Sequence, residues 1–133
     1  MGKQYLGVKD GRLAECPNSP NCVSTQTDQS DKQMEPLPFH GDLNSTKETL
    51  KKVLQEMERT KVEIEEEHYI HALVVTKLLR FKDDVEFYLD DSSQQVHFRS
   101  ASRTGYSDMG VNRKRMKAFA EAYYGYVEKE ARS

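Results

Sequence analysis

The sequence predicts an α+β fold in which two helices cover an antiparallel sheet of about four strands. Three observations support this fold class. Apolar residues recur every three or four positions near residues 50–57 and 116–127, as on one face of a helix. Between these stretches the apolar spacing changes to two, as in strands. All four prolines lie within residues 1–40, so we interpret this part as an extended N-terminal arm packed on a core of residues 41–133.

The composition limits the possible partners. A chain of 133 residues has the size of one domain. Its 20 Lys and Arg and 22 Asp and Glu residues give a net charge of −2, so the basic face that nucleic acid requires is not predicted. The first residues contain no apolar signal segment, and no apolar run approaches the roughly 20 residues of a membrane helix. We therefore expect a cytoplasmic protein with neither nucleic acid nor a membrane as partner.

Two helices are predicted from caps and apolar faces. Ser45 and Glu48 have the spacing of a capping box, and an apolar face follows them: Leu50, Val53, Leu54 and Met57. The second helix is expected to begin near Asp108 or Asn112, both favourable N-cap residues. Its apolar face comprises Met116, Phe119, Tyr123, Tyr126 and Val127.

Four strands are predicted near residues 62–65, 69–76, 85–89 and 96–98, and residues 90–94 form a turn. If Leu89 lies opposite Val96, the register of this hairpin is determined. Glu86 then faces Arg99, which is an ordinary cross-strand pair.

The first dense polar segment is CPNSPNCVS, residues 16–24. Its candidate site residues are Cys16, Ser19, Asn21, Cys22 and Ser24. A disulfide across so short a loop would contribute about 2.4 kcal/mol. Half of a zinc site would need ligands that the scattered histidines do not offer, so we expect neither metal nor cofactor. Cys22 as a catalytic nucleophile would need a lowered pKa. The simplest interpretation is two thiols packed as small apolar side chains.

The second dense polar segment covers residues 99–115, from a strand end through a glycine-containing loop into a helix. Its candidate ligand-binding residues are Arg99, Ser102, Arg103, Tyr106, Asp108, Asn112 and Arg113. A helix N-terminus attracts anions, and the guanidinium group is suited to phosphate or carboxylate. The alternative is a structural network, in which carboxylates hold these arginines.

The acidic stretch of residues 83–86 supplies such carboxylates. Asp83 and Asp84 are adjacent on a strand and therefore point to opposite faces, which excludes a facing catalytic pair. Asp84 and Glu86 share a face. We expect all three to pair with the nearby arginines, Asp83 and Asp84 together with Asp108 holding Arg103 and Arg113.

Three motifs carry a resemblance to a known family. They are CPNSPNCVS at residues 16–24, FKDDVEF at 81–87 and RSASRTGYSD at 99–108. With residues 7–13 and 110–115 they extend over nearly the whole chain. The sequence thus resembles the family catalogued as domain of unknown function 1499. This family has no established activity, so the resemblance implies no reaction. It implies that the arm folds back onto the corner of residues 99–115, which would bring together Asn21, Cys22, Ser24, Arg99, Arg103 and Asn112.

Three functions are compatible with these patterns. The first is a binding module for a small anionic or polar ligand, or for an acidic segment of a partner, at the corner of residues 99–115. The second is a thiol-dependent enzyme or redox protein that uses Cys22. The third is a purely structural domain in which both polar segments only attach the arm to the core.

Overall fold

The computed structural model describes residues 6–78, 80–103 and 110–131. The arm contains the short strands β1 (Val8–Lys9), β2 (Arg12–Leu13), β3 (Cys22–Ser24) and β4 (Leu37–Pro38), with one turn of 3-10 helix at Ser30–Lys32. The core contains helix α1 (Leu43–Glu56), strands β5 (Thr60–Glu66), β6 (Tyr69–Val75), β7 (Lys82–Asp90) and β8 (Gln95–Ser102), and helix α2 (Val111–Ala131).

The α+β class and the antiparallel sheet are confirmed, but the main sheet has six strands instead of about four. Its order is β3-β8-β7-β6-β5, and β4 also pairs with β8. The four core strands are the predicted ones. The two additional strands come from the arm, where prolines and a length of two or three residues remove any alternating pattern. They form because β8 would otherwise be an edge strand with unpaired N–H and C=O groups.

The predicted register of the β7–β8 hairpin is confirmed. Leu89 lies opposite Val96, and Glu86 lies opposite Arg99. Because side chains alternate between the two faces of a strand, this register puts Phe87 and Phe98 on the face that packs against the helices. Glu86 and Arg99 therefore lie on the opposite face, which the arm covers.

The helix-facing side of the sheet contains the main apolar core. Phe87 and Phe119 contact each other at 4.9 Å between ring centroids. Tyr123, also fully buried, donates a hydrogen bond of 2.6 Å to the carbonyl of Pro38. The predicted apolar faces of both helices point into this core. No helix within the described residues is both long and apolar enough to cross a membrane.

The helix starts differ from the predicted ones. Helix α1 begins at Leu43, and its N-cap is Asp42, whose side chain accepts a hydrogen bond of 2.8 Å from the backbone N–H of Ser45. The predicted capping box of Ser45 and Glu48 is therefore wrong by one turn, because Asp42 is an equally good cap that precedes it. Asn112 is the second residue of α2 and is buried, and Asp108 lies outside the described residues.

Replacing the observed cap should destabilise the protein more than replacing the predicted one. We expect Asp42→Ala to lower the urea midpoint of unfolding clearly, because the backbone N–H of Ser45 loses its side-chain acceptor. Ser45→Ala is the matched control and should have a smaller effect. Equal midpoints for the two variants would contradict the assignment of Asp42 as N-cap.

Candidate functional site

The predicted corner is divided between the two faces of the sheet. Along β8, Ser100 and Ser102 point toward α2, whereas Arg99 and Ala101 point toward the arm. Asn112 accompanies the two serines under α2. The candidate residues of the corner therefore do not form one site. Tyr106 and Asp108 lie in the part of the chain that the structure does not describe.

On the arm-covered face, four polar residues form a row across four adjacent strands. The pairing places Ser24 opposite Arg99, Arg99 opposite Glu86, and Glu86 opposite His71. We call these four residues the polar row. Directly opposed side chains in a sheet lie about 5 Å apart. Glu86 is 0% exposed, Arg99 1% and His71 4%, so the row combines ionisable groups with nearly complete burial.

Glu86 is held from two sides. Its Oε2 atom accepts a hydrogen bond of 2.5 Å from the Tyr69 hydroxyl and one of 2.7 Å from the backbone N–H of Gly7. Burial raises the pKa of Tyr69, and the hydrogen bond to Glu86 raises it further. Tyr69 therefore stays protonated as a donor, and the backbone of the arm closes over the carboxylate.

Arg99 is buried without a full set of partners. Its Nη1 atom lies 3.6 Å from Glu86 Oε1, and its Nη2 atom donates to the carbonyl of Glu15 at 3.5 Å. Four atoms of the row have no hydrogen-bond partner: Arg99 Nε, Arg99 Nη1, Glu86 Oε1 and His71 Nδ1. Leaving a buried polar group unsatisfied costs about 1–3 kcal/mol. The row thus has both donors and acceptors to offer.

A second charged group lies beside the row. Asp84 accepts hydrogen bonds from His71 Nε2 at 2.7 Å and from Arg103 Nε and Nη2, both at 2.9 Å. Burial raises the pKa of Asp84, but the hydrogen bonds from His71 and Arg103 outweigh it and lower the pKa to about 2.

The expected pairing of carboxylates with arginines is right for Asp84 and wrong for Asp83. Arg103 binds Asp84, as expected. Asp83 instead accepts a hydrogen bond of 2.7 Å from Arg115, because it points to the helix-covered face, which Arg115 of α2 reaches. Arg113 donates to the backbone carbonyls of residues 31 and 33 at 2.8 and 3.5 Å. Each of these three arginines therefore contributes to holding the chain together.

On the helix-covered face, Asn112 joins three parts of the chain. Its Oδ1 atom accepts a hydrogen bond of 2.6 Å from Ser100. Its Nδ2 atom donates to the carbonyl of Asn21 at 3.2 Å and to Ser102 Oγ at 3.1 Å. The start of α2 is thereby attached to β8 and to the arm at once. The juxtaposition of the arm with Arg99 and Asn112, which the family resemblance implied, is present.

Cys16 and Cys22 form a disulfide, with 5.7 Å between their Cα atoms. Both are buried, at 3% and 1% exposure, against Ala101. The interpretation as two packed thiols is therefore wrong. The two cysteines are six positions apart, and the loop between them brings their Cα atoms within the usual disulfide range. In this form Cys22 has no thiol to ionise. Ser19 of the same segment donates to Asn21 Oδ1 at 2.6 Å.

Sequence reasoning did not single out His71 and Tyr69. Both lie in a strand that was interpreted only as a buried apolar one. The signal was nevertheless present, because the register that pairs Glu86 with Arg99 also leaves a polar His71 on the same face once β6 is paired with β7. Among the described residues, no group of three or more His, Cys, Asp or Glu side chains is arranged to hold a metal ion.

The fold and the site define a small α+β domain with a buried polar layer between its sheet and its N-terminal arm. The chain belongs to the family described as protein of unknown function (DUF1499), whose family model matches residues 12–123. This match extends from β2 to Tyr123 of α2 and so includes the polar row. No curated protein and no solved structure matches the chain.

Removing the disulfide should lower the free energy of unfolding by about 2 kcal/mol, because the cross-link restricts the unfolded chain. The test is urea unfolding of the double variant Cys16→Ala/Cys22→Ala. Wild-type protein unfolded with dithiothreitol should match that variant, and wild type unfolded without reductant should take up no alkylating label by intact mass. Two labels on the non-reduced protein would contradict the disulfide.

Arg103→Ala should weaken the acid dependence of stability. The folded-state pKa of Asp84 is depressed from 3.8 to about 2, so its stabilisation is complete above about pH 4 and is lost as the pH falls toward 2. Because Arg103 is half exposed and His71 remains, we expect a loss of about 1–2 kcal/mol at pH 7. Arg113→Ala is the control and should keep the wild-type slope between pH 4 and 2. An unchanged slope in Arg103→Ala would refute the coupling.

Proposed function

We propose that the protein is a binding module for a small polar ligand with an anionic group, and that the polar row is its binding site. The observation that carries this proposal is Arg99, a guanidinium that is 1% exposed and has two nitrogen atoms without a hydrogen-bond partner. A buried arginine normally uses its N–H donors. A ligand carboxylate or phosphate oxygen at Arg99 would provide the missing acceptor.

The charges around Arg99 favour a small ligand that carries both an anionic group and hydrogen-bond donors over a highly charged anion. Glu86 already neutralises Arg99, and Asp84 neutralises Arg103. An additional polyanion would therefore enter a site without excess positive charge. The unpartnered acceptor Glu86 Oε1 would instead favour a ligand that also donates, such as a hydroxy acid or an amino acid.

The arm would act as the cover of this site. Two of its backbone groups, the N–H of Gly7 and the carbonyl of Glu15, contact Glu86 and Arg99. Both contacts are single hydrogen bonds, and each is worth only about 0.5–1.5 kcal/mol net. A ligand at the row would replace these two contacts, while hydrogen bonds of Leu13 and Glu15 with Gln26 and Thr27 keep the segment attached to the rest of the arm.

The proposed site differs from the corner expected from the sequence. There Arg103 is held by a bidentate contact with Asp84, and Arg113 donates to backbone carbonyls. These two arginines therefore support the structural interpretation of the corner. Arg99 belongs to both the expected and the proposed site, which makes it the residue on which the binding proposal depends.

The disulfide argues against two expectations, the thiol-dependent alternative and the cytoplasmic location. A disulfide is the form that cysteines keep in oxidising compartments, whereas reducing cytoplasm opposes it. The Cys16–Cys22 bond therefore favours an oxidising location and gives no support to catalysis by Cys22. A structural role for the polar row remains the competing function, and it predicts no ligand response.

The test is thermal unfolding of the protein with single candidate ligands: hydroxy acids, amino acids, dicarboxylates and inorganic phosphate. At a concentration of 100 times Kd, a ligand adds about 2.7 kcal/mol of stability, so a rise of the unfolding midpoint by several degrees is expected in wild type. Arg99→Lys should abolish the rise, because it keeps the charge but loses donors and their planar geometry.

Arg113→Lys is the matched control, since it makes the same substitution at an arginine outside the polar row. It should keep the wild-type response, and circular dichroism should show that both variants fold. The proposal fails if no compound raises the midpoint of wild type, or if Arg99→Lys responds as wild type does.

A further inference from the structure

The loop between β6 and β7 presents an apolar side chain at a closed tip. The backbone N–H of Thr76 donates to the carbonyl of Phe81 at 2.8 Å, and the N–H of Phe81 donates to Thr76 Oγ1 at 2.8 Å. These two bonds close the hairpin below the tip. Leu78 at the tip is 87% exposed, far more than the other exposed large apolar side chains of the described chain. An aliphatic side chain that stays exposed contributes no hydrophobic stabilisation to the folded protein.

Cations surround this side chain. Lys77 and Arg80 flank it in the loop, and Lys82 begins β7; all three are exposed. Arg59 reaches the same end of the sheet, because its Nε atom donates to the carbonyl of Val75. Arg103 does so as well, since its backbone N–H donates to the carbonyl of Lys82. Arg59 is paired with Glu58 and Arg103 with Asp84, so the excess positive charge at this end comes from Lys77, Arg80 and Lys82, which form no ion pair within the described residues.

The other end of the same strands is acidic. The β5–β6 and β7–β8 turns bring together Glu66, Glu67, Asp90 and Asp91, which line one groove. A chain with a net charge of only −2 thus has its charges separated along the strand direction. Near a negatively charged surface, this separation orients the molecule with Leu78 toward the surface.

We propose that the β6–β7 loop docks on an anionic lipid bilayer, with Leu78 in the interfacial region and Lys77, Arg80 and Lys82 at the headgroups. Leu78 is exposed and aliphatic, so it suits the interface between headgroups and acyl chains and offers no aromatic ring for base stacking. Each cation near such a surface contributes about 1 kcal/mol, equivalent to about a fivefold change in partitioning.

This contact is peripheral and needs no membrane-spanning segment. The expectation that no membrane is a partner depended on the absence of a long apolar run, which does not bear on docking through a loop. The proposal is also independent of the polar row, because Leu78 and the three cations take no part in that site.

The experiment is co-sedimentation of the full chain with vesicles of phosphatidylcholine, with and without phosphatidylserine. We expect wild type to bind only the vesicles that contain phosphatidylserine, and to bind less as salt is added. Lys77→Ala and Arg80→Ala should each lower the partition coefficient about fivefold. Leu78→Ser should lower it as well, because it removes the inserted side chain but no charge.

Lys129→Ala is the matched control, since it removes an exposed lysine next to Glu130, which contacts His40 far from the loop. It should bind as wild type does. Absence of binding by wild type would overturn the proposal. Binding that depends on Lys77 and Arg80 but is unchanged in Leu78→Ser would also overturn it, because a lipid surface requires the apolar tip and a soluble polyanion does not.

Discussion

The pairing of β3 with β8 is the interaction on which the rest of the site depends. It is only three residues long, yet it places the disulfide-bonded Cys22 beside Ala101 and Ser24 beside Arg99. It also presents the carbonyl of Asn21 to Asn112 of α2. Without this pairing residues 99–101 of β8 would be a free edge, since β4 pairs only with Gln95 and Val96. The arm is therefore a structural part of the sheet and the cover of its polar face.

Burial of the polar row has an energetic consequence. Removing Arg99 and Glu86 from water costs several kcal/mol for each ion, and their attraction offsets this only where geometry and further hydrogen bonds are favourable. Here the two groups lie 3.6 Å apart and several of their atoms lack partners. Apolar residues of similar size would stabilise such a position at least as well. This imbalance is the physical reason for proposing a binding role for the row.

The two faces of the sheet contain different kinds of residues. The helix-covered face contains the apolar core together with a fully connected polar group of Asn112, Ser100 and Ser102, and this face provides stability. The helix-covered face also holds the ion pair of Asp83 and Arg115, in which Asp83 Oδ1 has no hydrogen-bond partner. The arm-covered face contains the polar row, where four buried atoms lack a partner. Disulfide and strand pairing hold the arm near this face, while only single backbone hydrogen bonds join it to Glu86 and Arg99. The disulfide and the strand pairing thus fix the arm beside the proposed site, whereas the arm residues directly over Glu86 and Arg99 are held to them more weakly.

The sequence by itself determined the class of the fold, the four core strands, both helices and the register that pairs Glu86 with Arg99. These features depend on local periodicity and on a short turn, which neighbouring residues specify. The spacing of Cys16 and Cys22, six positions apart, allowed the disulfide as one of several interpretations. Only the tertiary structure decided the arm strands, the partner of Asp83 and the inclusion of His71 in the polar row. Each of these depends on contacts between residues far apart in the chain, and alternation along one strand does not reveal which distant segment will cover a given face.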